Sequence, residues 1–135
     1  MKRLCIGLCA VSAVTLLACP RPAFGIEAFK KGFIAKYVKA DSTDPAEQAF
    51  AAAVKKANCN VCHVGAKKKE RNEYGKALDE LLDKKADMKN AAKIQEALEK
   101  VAGMKSNPAD SNSPTFGEML KEHKLPLADA PAAGS

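Results

Sequence analysis

Two thiols and one imidazole fall within five consecutive residues, Cys59-Asn60-Val61-Cys62-His63. No other feature constrains this chain as tightly. The remaining three cysteines, Cys5, Cys9 and Cys19, all lie near the amino terminus. Whether that end is kept therefore decides how many thiols the working protein has.

The amino terminus reads as a targeting segment. Met1-Lys2-Arg3 is a short positive stretch, and Leu4 to Ala18 is an uncharged, mostly apolar run. The run is too short to span a bilayer and suits the hydrophobic core of a signal peptide. Pro20 and Pro22 end it, and Ala23 and Gly25 are small residues of the kind a signal peptidase accepts. Cleavage is expected after Gly25. A second reading stands beside it: Leu16-Leu17-Ala18-Cys19 resembles a lipobox, which would lipidate Cys19 and anchor the protein to a membrane. Both readings export the chain. Removing residues 1–25 leaves Cys59 and Cys62 as the only cysteines. It also leaves 19 basic residues against 16 acidic ones, so the formal charge falls from +6 to +3.

Cys-x-x-Cys-His is the attachment signature for a c-type haem. The two thiols add to the two vinyl groups of the porphyrin, and the adjoining imidazole binds the iron from below. Three competing readings are weaker. A dithiol oxidoreductase needs a strand before the motif, whereas an alanine-rich helical pattern precedes this one. A structural zinc site needs four ligands; the mature chain offers only Cys59, Cys62, His63 and His123, and adjacent Cys62 and His63 fit poorly as two corners of one tetrahedron. A plain Cys59–Cys62 disulfide would leave the core unfilled. Composition gives that last point its weight. Of the 135 residues 47% are hydrophobic, but many are alanine, only 5% are aromatic and none is tryptophan. Such side chains bury little area each. One domain of this length needs another large apolar body at its centre, and a porphyrin supplies it. The 28% of charged residues, of both signs, together with the regular apolar spacing described below, excludes collagen-like, low-complexity and fully disordered classes.

The mature chain is read as an arm, a helical domain and a tail. Residues 26–43 form the arm; Ile26 to Ala40 is either a short helix or an extended segment, with its aromatics turned inward. Residues 44–126 form the domain. Asp44-Pro45-Ala46-Glu47 starts a helix, with Asp44 as cap and proline at the first position. Ala46, Ala49, Phe50, Ala53, Val54 and Ala57 recur along it at helical spacing. A second helix starts near Asn72, with a stripe of Tyr74, Ala77, Leu78, Leu81 and Leu82. A third is expected from Asp87 to Ala102, stopped by Gly103. Ser113-Pro114 is expected to cap a fourth that carries Phe116, Met119 and Leu120. No alternation of the kind that marks strands is present. Residues 127–135 are expected to be a disordered tail.

The capped helix running into Cys59-Asn60-Val61-Cys62-His63, with Phe50 nine residues before the first cysteine, resembles the small bacterial monohaem cytochromes c of class I. The resemblance covers roughly Asp44 to Pro126. It implies an all-α fold of about four short helices around one covalent haem, and single-electron transfer between periplasmic partners. Cys59 and Cys62 would hold the haem c and His63 would be the proximal iron ligand. The chain departs from the family after the histidine. There the family usually carries a proline whose carbonyl accepts the second ring N–H; no proline stands between His63 and Pro108. Another carbonyl must take that role. Gly75, early in the second helix, either admits backbone close to the haem or is simply tolerated.

The sixth iron ligand stays open. The resemblance puts it in a loop before the last helix, where Met104 stands. His123, on the same face as Phe116, is the alternative. Met119 and Met88 fit helix stripes better than iron. No protein ligand is a further option. Methionine would raise the reduction potential, a second histidine would lower it, and an empty position would permit gas binding or peroxide chemistry, for which Arg71 and His123 are the distal candidates. Lys67, Lys68, Lys69 and Arg71 follow the motif and form a candidate docking patch for acidic redox partners. Nucleic acid is not an expected partner at this modest charge. The expectation is a monomeric electron carrier and not an enzyme. A five-coordinate haem sensor or weak peroxidase, and an electron-transfer subunit of a larger oxidoreductase, are the alternatives.

Overall fold

A computed structural model describes residues 24–66 and 68–127. Most of the expected leader with Cys19, Lys67 and the expected tail beyond Leu127 lie outside the described residues. The chain is mostly helical. Its described elements are α1 (Phe24–Tyr37), α2 (Pro45–Ala57), a 3-10 turn (Asn58–Val61), β1 (His63–Val64), β2 (Glu70–Arg71), α3 (Glu73–Leu81), α4 (Ala91–Ala102) and α5 (Phe116–Lys121). None of the described helices is long and apolar enough to cross a membrane.

Among the described residues five helices form where about four were expected, because the arm is itself a helix. Of its two expected conformations, α1 takes the helical one and lies against α4. Gly32 lets the two axes come close: a Cβ there would stand 2.6 Å from Ile94 Cγ2. Around that crossing, the Gln95 amide donates to the Gly32 carbonyl at 3.1 Å, and the Tyr37 hydroxyl donates to the Leu98 carbonyl at 3.1 Å. Phe33 is buried beneath it. Burying a side chain of that size contributes about 2 kcal/mol.

Local chemistry sets the other helix limits. Asp44 caps α2 as expected, accepting the Ala46 N–H at 2.7 Å. Helix α4 starts later than its apolar stripe predicts. Asp87 is turned to the Asp83 N–H and to the Lys93 ammonium, and Asn90 caps instead by accepting the Lys93 N–H at 3.0 Å. Met88 therefore falls outside the helix. Thr115, not Ser113, caps α5, in a reciprocal capping box with Glu118. Strands β1 and β2 are also additions to the sequence reading. Two residues each is too short for alternation to register.

The core gathers along one seam. Tyr74 of α3 is fully buried, with its ring edge-on to Phe33 at 5.9 Å and to Phe116 at 5.1 Å. Leu98 and Val101 of α4 complete it. This seam fixes α1, α3, α4 and α5 together. The turn that follows α2 is left facing a cleft.

Candidate functional site

The site begins where α2 stops. Asn58 takes φ +51° and ψ −114°, a left-handed conformation costly for a non-glycine residue, and so breaks the helix. The chain then tightens into the 3-10 turn, closed by the Cys62 N–H donating to the Cys59 carbonyl at 3.2 Å. This turn holds Cys59 and Cys62 at the cleft, both as free, partly buried thiols. The Cys59 thiol donates to Asn58 Oδ1 at 3.7 Å, and the same oxygen accepts from the Lys30 ammonium at 2.7 Å. Burial pushes the Cys62 thiol up to about 12; the neighbouring Cys59 adds to the rise and Arg71 opposes it.

His63 opens β1. The antiparallel register sets His63 opposite Arg71 and Val64 opposite Glu70. This hairpin brings the Glu70 carbonyl oxygen to 3.3 Å from His63 Nδ1. A carbonyl can only accept, so the proton of the pair sits on Nδ1. In the neutral ring, Nε2 then keeps its lone pair. That is the arrangement in which a ligating histidine is oriented by an outer partner. The sequence left open which carbonyl meets this ring, and the hairpin sets the Glu70 carbonyl beside it.

Helix α3 locks the turn from the other side. The Asn72 N–H donates to the Cys62 carbonyl at 3.1 Å. The buried Asn72 amide donates to the Val61 carbonyl at 2.9 Å and to the Pro126 carbonyl at 2.6 Å, while its oxygen accepts the Gly75 N–H at 2.8 Å. Gly75 has no room for a side chain: a Cβ would stand 2.0 Å from the Cys62 carbonyl oxygen. The close approach that glycine permits here is therefore to the motif's own backbone. Reading Asn72 only as a helix start missed its grip on the turn. Asparagine two positions before an α3 aromatic carries no signal of such a role.

The cleft in front of the motif is largely hydrocarbon. Phe29 and Phe33 come from α1, Leu78 from α3, and Ile94 and Leu98 from α4. Charged groups at its margin are mostly engaged, Arg71 with Asp79 at 2.8 Å and Lys30 with Asn58. The donor set fits a covalent haem: two thiols, one imidazole with its outer nitrogen satisfied, and apolar walls.

Cys59, Cys62 and His63 are brought together. The other sequence-derived candidates lie elsewhere. Met104 is 38% exposed and, like the partly buried Met88 and Met119, does not line the cleft. The His123 ring rests on Phe50, with centroids 5.4 Å apart, beside a separate groove. It does not complete a zinc set with the cysteines, and among the described residues no cluster of three His, Cys, Asp or Glu could hold a metal ion. Lys68 and Lys69 are exposed, whereas Arg71 is partly buried against Asp79. No family model matches the chain, and no curated protein or solved structure matches it.

Proposed function

We propose that this protein carries single electrons on one haem c, bound through Cys59 and Cys62 with His63 as the proximal iron ligand, in a cytochrome c-like helical fold outside the cytoplasm. One observation carries the reading: His63 directs Nδ1 to the Glu70 carbonyl at 3.3 Å while flanked by two free thiols at an apolar cleft.

When bound, the haem supplies a one-electron ferric–ferrous couple. The chain's residues do the rest. Cys59 and Cys62 would hold the group through thioethers, and His63, its ring oriented by the Glu70 carbonyl, would supply the iron ligand. Phe29, Phe33, Ile94 and Leu98 keep water from the site, which favours the less charged reduced state. Exposed Lys68 and Lys69 provide positive charge near the motif for an acidic redox partner.

The test is expression of the full chain in a bacterial host equipped for c-type haem attachment. The purified protein should carry haem that survives denaturation and should titrate reversibly with one electron. Replacing both Cys59 and Cys62 by alanine should abolish the covalent link. A wild-type product without haem, cycling instead between a Cys59–Cys62 dithiol and disulfide, would overturn the reading.

A further inference from the structure

Iron held by a single imidazole becomes six-coordinate only if a second donor reaches it, in most haem proteins a thioether or another imidazole. The chain contains four methionines and two histidines. Met1 lies outside the described residues. Met88, Met104, Met119 and His123 are all described, and none lines the cleft that His63 faces. Two of them are held where they are. The Met104 N–H donates to the Val101 carbonyl at 2.9 Å and its carbonyl accepts the Phe116 N–H at 3.0 Å, next to a bridge between Lys105 and Thr115. His123 is stacked on Phe50, with its backbone N–H on the Leu120 carbonyl at 3.1 Å.

Most of the cleft's nitrogen-bearing side chains are also engaged. Lys30 and Asn58 bind each other, and Arg71 binds Asp79. Among the described residues Lys84 lines the cleft with no partner and is the one remaining competitor.

We propose that the chain provides no sixth ligand, so that the loaded protein binds a small neutral diatomic molecule, carbon monoxide or nitric oxide, at the open iron position. The open position rests on the haem reading above. The cleft lined by His63 offers such a molecule hydrocarbon surroundings, with Phe29, Phe33, Ile94 and Leu98 among its walls. A neutral diatomic needs no hydrogen-bond donor there, whereas bound oxygen and peroxide are stabilised by one. Behind His63 stands a backbone carbonyl, a weaker acceptor than a carboxylate. It makes the imidazole less basic than peroxide cleavage favours.

Spectroscopy of the purified holoprotein tests this. Intact mass first reports whether haem is covalently attached; an apo mass overturns the haem reading and the open position with it. With haem attached, the ferric form is expected to be high-spin, and carbon monoxide added to the ferrous form should shift the Soret band with one-to-one stoichiometry. Lys84→Gln should leave both spectra unchanged. A low-spin ferric spectrum in the wild type overturns the proposal while leaving the haem reading intact. If Met104→Leu, His123→Gln or Lys84→Gln then turns that spectrum high-spin, the variant names the ligand that fills the position.

Discussion

The Nδ1 atom of His63 lies 3.3 Å from the backbone carbonyl oxygen of Glu70, seven residues further along the chain. The acceptor belongs to the main chain, so the Glu70 side chain is irrelevant to it. Glu70→Gln is expected to leave haem loading and the ring tautomer unchanged. Nitrogen NMR of the apoprotein at neutral pH should find the His63 proton on Nδ1. A proton on Nε2 alone would break the hairpin's assigned role.

Gly75 is the tightest steric point of the site. A methyl group there meets the Cys62 carbonyl, an atom that cannot rotate away. Gly75→Ala should therefore cost about 3 kcal/mol, at the upper end of ordinary overpacking. Urea unfolding reads this directly. An alanine variant as stable as the wild type would mean that α3 does not approach the motif so closely.

Asn72 satisfies three backbone groups from one buried side chain. Asn72→Ala leaves the Val61 and Pro126 carbonyls and the Gly75 N–H without that partner. Each buried loss costs about 1–3 kcal/mol, partly recovered by water. A total near 3 kcal/mol is expected in thermal or urea unfolding. Covalent haem yield should fall as well, because the turn carrying both thiols loses its anchor.

Acid should weaken the fold through Asp87. The Lys93 ammonium first, and the Asp83 N–H second, hold its carboxyl below the usual carboxylate range. The unfolded chain then binds more protons than the native one, so stability rises with pH in this range. The contribution is complete above the unfolded value of about 3.9 and disappears as pH falls through the lower folded value. Urea midpoints at pH 5 and pH 3 should therefore lie closer together in Asp87→Asn than in the wild type. Equal pH dependence in the two proteins would show that Asp87 contributes nothing to it.

Much of the helical frame was legible in the sequence because it depends on local rules. The Asp44-Pro45 cap, the Tyr74–Leu78 stripe and the Ile94–Leu98–Val101 stripe each need only a few neighbouring residues to be recognised. The start of α4 was not legible. Its apolar period continues back to Met88, and only the bonds that turn Asp87 to the Asp83 N–H and the Lys93 ammonium, leaving Asn90 as the cap, show that the helix waits until Ala91. The Cys59, Cys62 and His63 grouping was evident from spacing alone. Its supports were not, since the Glu70 acceptor is a main-chain atom with no side-chain signature. Gly75 and Asn72 act on a carbonyl ten or more residues away. Chain order placed Met104 in the loop before the last helix, but order carries no information about which wall that loop faces.

Intact mass spectrometry of the exported, denatured protein tests the central claim most directly. The account predicts a chain that carries the mass of one haem, and loses it when Cys59 and Cys62 are both replaced by alanine. A haem-free chain two hydrogens lighter than the dithiol form, with Cys59 joined to Cys62, would contradict it.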